Sequence, residues 1–263
     1  MRVGVLAVAA LVLWAGSARA AVEGRAVEYR HGDAALEGYL ALDTAVQGKR
    51  PGVLVAHEWK GLNDYAKRRA EQLAGLGYVA FAADMYGKGV RAKDHEEAGR
   101  LSGIYRNDRH LTRGRIGAAL DMLRAQPQVD PQKIGAIGYC FGGMAVLELA
   151  RGGADVDGVV SFHGPLDTPV PASPGSVKAK VLVLSGAEDS FVLSGVPGFE
   201  QEMEEAGVDY RLIQYPGAVH GFTVPEAGDD PSKGVAYNAE ADRQSWDEMV
   251  RFFAGLFGEK GLE

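Results

Sequence analysis

The sequence predicts an α/β protein: one domain on a mostly parallel, doubly wound sheet with helices on both faces. Three observations carry this. Apolar runs of strand length recur at residues 51–56, 78–83, 134–137, 156–162 and 180–185, mostly without the alternation of a half-solvated strand. Between them lie stretches with apolar residues at helical spacing. No linker, internal repeat or composition shift divides residues 21–263.

Taken in order, residues 25–30 and 34–42 read as strands. His31-Gly32-Asp33 between them has the composition of a tight hairpin turn, so this pair is the antiparallel edge. Residues 51–56 form an apolar strand that runs straight into His57-Glu58-Trp59-Lys60-Gly61. A helix follows over 63–76, with Asn63 as N-cap and Leu62, Ala66, Leu73 and Leu76 spaced for one face. Residues 78–83 are the next strand. The polar stretch 87–100, with Lys93-Asp94-His95-Glu96-Glu97, reads as a solvated loop and short helix rather than a metal site. A long helix covers 111–125, with Ile116, Leu120 and Leu123 on one side, and Pro127 and Pro131 separate it from the strand at 134–137. Residues 156–162 and 180–185 are strands, 190–206 is loop then helix, and 208–215 alternates as a strand. The last helix, 238–256, turns Trp246, Met249, Val250 and Phe253 to a core.

The N-terminus has its own logic. Arg2, an apolar run from Val3 to Trp14, and Ala18-Arg19-Ala20 give a positive start, a signal-length hydrophobic region and a small-residue cleavage site. The run is too short to span a bilayer comfortably. Residues 1–20 are therefore expected to be a signal peptide that directs export to the periplasm or medium and is cleaved near Ala20. No cysteine follows the cleavage site, which argues against a lipid anchor there. The hydrophobic fraction of 46% and charged fraction of 24% are those of an ordinary globular chain, and the net charge of −7 argues against nucleic acid or an acidic membrane as partner.

The chain carries one cysteine. In an exported protein a lone thiol is reactive or pairs with another molecule. Its surroundings favour the first. Gly138-Tyr139-Cys140-Phe141-Gly142 is G-x-C-x-G between an apolar strand and the helical stretch of Met144, Val146, Leu147 and Ala150, which is the nucleophile-elbow pattern with sulfur as nucleophile. At a helix N-terminus the dipole and free N–H groups favour a thiolate and a developing oxyanion. Alone, Cys140 reads equally as a small buried core residue.

Acyl transfer at Cys140 needs a base and a group to orient it. On a doubly wound sheet these follow in chain order, acid then histidine. Asp189 follows the strand at 180–185, with Glu188 as the alternative acid, and His220 follows the strand ending at Tyr215. Each has a bland reading, helix N-cap for Asp189 and surface loop for His220, but their order at successive strand ends is a combined signal. The oxyanion donors expected are the backbone N–H groups of Phe141 and Trp59. His163 ends a strand and either lines the pocket or caps the sheet. The stretch 87–92 only loosely imitates a dinucleotide fingerprint, and no P-loop, H-E-x-x-H or cysteine cluster is present.

His57-Glu58-Trp59-x-Gly61, Asp84-Met85-Tyr86-Gly87, Gly138-Tyr139-Cys140-Phe141-Gly142-Gly143, Gly186-x-x-Asp189 and His220-Gly221-Phe222 together resemble the dienelactone hydrolase family of the α/β-hydrolase fold. The resemblance implies a Cys140–His220–Asp189 triad, a small ester or lactone substrate, an acyl-thioester intermediate and no cofactor or metal. It also implies that Glu58 holds the resting thiol and takes its proton when substrate arrives, gating that would spare an exported thiol from oxidation. Members that cleave dienelactone hold the substrate carboxylate with two arginines. Here those regions read Tyr86-Gly87-Lys88 and Phe222-Thr223-Val224, so Tyr86 and Lys88 are the candidate substrate contacts, and Lys88 lacks the forked geometry of arginine. A general short-chain carboxylesterase or thioesterase is the alternative within this class. A non-catalytic ligand-binding or redox-responsive module is the alternative outside it.

Overall fold

The computed structural model describes residues 21–258; the expected signal segment lies outside them. The chain opens with the expected hairpin, β1 (Val22–His31) against β2 (Ala34–Asp43). The turn is Gly32-Asp33, with Gly32 at φ +56°, a left-handed conformation that costs a residue without Cβ nothing. Then come β3 (Arg50–Ala56), α1 (Asp64–Gly75), β4 (Val79–Ala83), α2 (His95–Asn107), α3 (Arg109–Arg124), β5 (Val129–Tyr139) and α4 (Phe141–Arg151). β6 (Gly158–Phe162), β7 (Lys180–Gly186), α5 (Val196–Ala206), β8 (Tyr210–Tyr215) and α6 (Ala239–Phe257) complete the chain. The strands form one sheet in the order β1-β2-β4-β3-β5-β6-β7-β8. β2 runs antiparallel to both neighbours, and every pair from β4 to β8 is parallel.

Alternation along the buried strands splits the core into two layers. Val53 and Val55 of β3 face α1 and α6, where they share a cluster with Leu73, Met249 and Phe253. Leu54 and Ala56 face the other way, into a cluster with Ile116 and Leu120 of α3, Met144 and Val146 of α4, and Phe199 of α5. The helix starts follow their caps: Asn63 accepts from the Ala66 N–H at 3.2 Å, and Asn238 from the Ala241 N–H at 3.0 Å.

Two stretches differ from the sequence reading. The polar region after residue 87 contains a full helix, α2, thirteen residues long. Asp94 caps it at the Glu97 N–H (2.8 Å), Glu96 and Glu97 complement the dipole, and only Ala98, Leu101, Ser102 and Tyr105 are buried. Pro131 does not precede the strand but lies inside β5. Pairing with β3 jumps from Pro51–Asp130 to Gly52–Ile134, so residues 131–133 bulge out and the missing proline N–H is not needed by the ladder.

All eleven residues of α4 are buried. Two of them are charged. Glu148 meets Arg113 at 2.8 Å, Arg151 at 3.2 Å and Arg109 at 3.8 Å, while Arg151 also pairs with Glu202 at 2.7 Å. The same arginines donate to the carbonyls of Leu166, Asp167 and Val170, tying the connection after β6 to the helix.

Candidate active site

β5 delivers the chain to Cys140, whose φ of +51° and ψ of −115° lie where non-glycine residues rarely sit. The residue is held there by its neighbours. Its N–H donates to the Phe162 carbonyl (3.0 Å), and its carbonyl accepts from the N–H groups of Gly143 (2.9 Å) and Met144 (3.3 Å). A Cβ on Gly138 would stand 2.0 Å from the Gly142 oxygen, and one on Gly142 would stand 2.2 Å from the Ala56 oxygen. Both flanking glycines of G-x-C-x-G are therefore required by close backbone approach.

His220 arrives on the loop after β8 and Asp189 on the loop after β7. The Cys140 Sγ lies 3.1 Å from His220 Nε2, and His220 Nδ1 lies 2.9 Å from Asp189 Oδ2. Asp189 is wholly buried, and its other oxygen accepts from the Phe191 N–H at 3.0 Å. Glu188, the alternative acid, accepts from the Gly217 N–H instead. Burial opposes charge on His220, but Cys140 and Asp189 outweigh it and push the histidine's pKa up to about 10.

The loop after β3 faces this line. Burial pushes His57 down to about 4, so its ring is neutral. Its Nε2 accepts from the Met85 N–H at 3.2 Å, which leaves Nδ1 to donate to the Glu58 carbonyl. The Tyr86 hydroxyl donates to the Trp59 carbonyl at 2.8 Å, and the Asp84 carboxylate accepts from the N–H groups of Tyr86 and Gly87 at 3.0 Å each. These bonds lock the Glu58-Trp59 turn to the turn after β4. Phe141 is the first residue of α4, whose leading N–H has no partner within the helix.

Glu58 is a half-buried carboxyl whose strongest charged neighbour is His220. Burial raises its pKa to about 7, against the lowering effects of His220 and Lys60. The resemblance implies a contact between Glu58 and the resting thiol, but here the thiol rests on His220, and no hydrogen bond joins Glu58 to Cys140 among the described residues. Lys88 also differs from expectation. Its ammonium pairs with Glu28 and, at 3.6 Å, with Glu37, two carboxylates on the hairpin. Tyr86 lies at the site, with its ring 5.5 Å from Phe141 and 4.9 Å from His57, while its hydroxyl is committed to Trp59.

Two neighbours of His220 went unread in the sequence. Phe191 is 60% exposed, with its ring 5.1 Å from that of His220; its place two residues after Asp189 is the only local signal. Thr223 hydrogen-bonds His163, a contact between residues 60 apart that no local pattern carries. His163 is wholly buried against His220. Among the described residues no group of three or more His, Cys, Asp or Glu is disposed to hold a metal ion.

Comparison with known proteins follows the same geometry. The family model of the dienelactone hydrolase family matches residues 36–257. A Synechocystis protein named as a candidate carboxymethylenebutenolidase is 30% identical over 234 residues, covering 83% of this chain and 91% of its own. The solved structure m3DLH superposes with a TM-score of 0.87 at 39% identity, covering 90% of this chain and 99% of its own. A dienelactone hydrolase-like promiscuous phosphotriesterase from metagenomic libraries does so with a TM-score of 0.85 at 41% identity, covering 90% and 100%. With the sheet order, the turn at Cys140 and a family match across nearly the whole described chain, this protein belongs to the dienelactone hydrolase family and has its α/β-hydrolase fold.

Proposed function

We propose that the protein hydrolyses a small ester or lactone through a thioester on Cys140. The observation that carries this is the unbroken line Sγ–Nε2 (3.1 Å) and Nδ1–Oδ2 (2.9 Å) at the end of the buried strands. His220, raised by Cys140 and Asp189, holds the thiol's proton as an imidazolium while Sγ attacks the carbonyl carbon, and Asp189 keeps its Nδ1–H in line. The N–H groups of Phe141 and Trp59 receive the oxyanion. The carbon–oxygen bond breaks, and His220 passes its proton to the departing oxygen. Water, deprotonated by the same histidine, then cleaves the thioester, releasing the acid and restoring the thiol. Glu58, with a pKa of about 7, is largely neutral in mildly acidic solution, where it does not oppose the oxyanion.

A short-chain carboxylesterase without preference for acidic substrates is the reading favoured at the substrate end, because Glu28 and Glu37 occupy Lys88. The test is hydrolysis by the mature protein of short p-nitrophenyl esters, a dienelactone and an activated phosphotriester, beside Cys140→Ala. Turnover that disappears in Cys140→Ala supports the mechanism, and turnover that survives overturns it. Protection of the thiol from alkylation by ester-like ligands without turnover would mark a binding module instead. The signal pattern of residues 1–20 supports export, which N-terminal sequencing of the exported protein tests: a start at Ala21 is expected, and retention of Met1 refutes it.

A further inference from the structure

A second imidazole lies against His220. The ring of His163 is 5.2 Å from that of His220 at 72°, and 5.3 Å from Phe222 at 77°. His163 is wholly buried and sits at φ +40°; among the described residues it and Cys140 are the non-glycine residues with positive φ. Such a conformation persists only where its surroundings over-determine it. Its N–H donates to the Leu184 carbonyl at 2.8 Å, anchoring it between β6 and β7.

The ring is held through a chain of hydrogen bonds. His163 Nε2 lies 2.8 Å from Thr223 Oγ1, which lies 2.7 Å from the Tyr65 hydroxyl. Arg69 Nε donates to that hydroxyl at 3.2 Å, and Nη2 of the same guanidinium donates to the Thr223 carbonyl at 2.9 Å. Arginine only donates, so the Tyr65 oxygen accepts from it; the Tyr65 and Thr223 hydroxyls share the next bond, and Thr223 Oγ1 and His163 Nε2 the one after. Arg69 is itself fixed by Asp242 and by the rings of Tyr65, Tyr139 and Trp246, all within 5.5 Å of its guanidinium carbon. Burial, with the charges of His220 and Arg69, holds His163 well below the ordinary histidine pKa. It is thus a neutral ring beside a histidine that must carry a proton.

We propose that His163 is a positioning residue for His220: locked through Thr223 and Tyr65 to Arg69, it fixes the plane of the His220 ring so that Nε2 stays on the thiol and Nδ1 on Asp189. This rests on His220 acting as the base at Cys140. The charged and titratable groups facing His220 are Cys140, Asp189, Glu58 and His163, and those facing His163 are His220, Arg69 and the Tyr139 ring. Removing the Thr223 hydroxyl changes none of these charges but releases the lock.

The test compares Thr223→Val with Thr223→Ser in ester hydrolysis and in the pH dependence of Cys140 alkylation by iodoacetamide, which needs no substrate. Thr223→Val is expected to lower kcat by roughly 10–100-fold, with KM within about 2-fold, as small misplacements of catalytic groups do. The alkylation midpoint should move to higher pH, because a less aligned imidazolium supports the thiolate less. Thr223→Ser should restore both. A Thr223→Val protein that is less heat-stable but keeps the wild-type kcat and midpoint overturns the proposal, as does a serine variant no better than valine. If Thr223→Val fails to fold, Tyr65→Phe breaks the chain one link further out and should shift the same readouts in the same direction; an unchanged midpoint there is equally fatal. Loss of the underlying mechanism is seen separately, as turnover that survives Cys140→Ala.

Discussion

Replacing Asp189 with Asn tests the line at Cys140 most directly. The wild-type carboxylate has two jobs, one for each oxygen: Oδ2 faces His220 Nδ1 at 2.9 Å and Oδ1 accepts the Phe191 N–H at 3.0 Å. An amide has only one oxygen. If it faces Phe191, the NH2 group faces Nδ1, which must become an acceptor, and the imidazole proton moves to Nε2, where the thiol needs a base. If it faces Nδ1 instead, two donors oppose each other at Phe191. Either way the negative charge is lost. The rise of His220 from the ordinary 6.5 to about 10 corresponds to roughly 5 kcal/mol in favour of the imidazolium, drawn from Cys140 and Asp189 against the cost of burial. Losing much of Asp189's share, together with the tautomer, gives an expected fall in kcat of about 10³–10⁴-fold, or about 4–5.5 kcal/mol. Steady-state hydrolysis reads the rate, and iodoacetamide alkylation against pH reads the pair. Because Asp189 favours the protonated imidazole, its loss should raise the pH at which the thiol becomes reactive. Glu188→Gln, altered at a residue whose side chain bonds only the Gly217 N–H, should stay within about 3-fold, since surface changes of this kind are nearly neutral. An Asp189→Asn enzyme within about 10-fold of wild type, with its alkylation midpoint unmoved, would refute the reasoning.

Three further outcomes are expected. Glu58, raised by burial to about 7, gains its charge as pH rises through neutrality, so the wild-type kcat/KM profile should inflect near pH 7 and the Glu58→Gln profile should not; an inflection that survives the substitution assigns it elsewhere. Gly142→Ala places a methyl 2.2 Å from the Ala56 oxygen and should cost at least about 1–3 kcal/mol while displacing the elbow, so thermal denaturation and activity should both fall; a wild-type melting temperature would contradict the packing described. Glu148→Leu leaves Arg109, Arg113 and Arg151 without their shared carboxylate and should cost about 3–5 kcal/mol, roughly 10 °C in Tm. An unchanged melting curve would show that the cluster is solvated.

What could be read ahead of the structure was what local chemistry dictates. The elbow was legible because tight backbone approach demands glycine on both sides of one residue, and Asp189 and His220 because each follows a strand end in the expected chain order. The full length of helix α2 was hidden, since its four buried residues are scattered among charges whose pattern suits a loop equally well. Pro131 misled because a proline inside a strand is tolerated only at a bulge, and the bulge depends on pairing with β3. The fate of Lys88 was set by Glu28 and Glu37 on the hairpin, 60 and 51 residues upstream in a strand pair whose outward faces have no sequence marker of their target. The links from Arg69 through Tyr65 and Thr223 to His163 span up to 158 residues and exist only because α1 and the loop after β8 meet at one end of the sheet.

The complete burial of α4 bears on how this enzyme can change over generations. A helix with one face in solvent offers positions where mutations accumulate almost freely, but the helix that follows Cys140 has none: every substitution along its eleven residues is a change to the interior. Drift toward new substrates is therefore pushed outward, onto the loops around the site, where Phe191 at 60% exposure can be replaced with little disturbance of packing. A library spread over those loops should yield many folded variants with altered preferences, whereas one of the same size on α4 should yield mainly unfolded chains. The immobility of the helix behind Cys140 is what leaves the loops around it free to diversify.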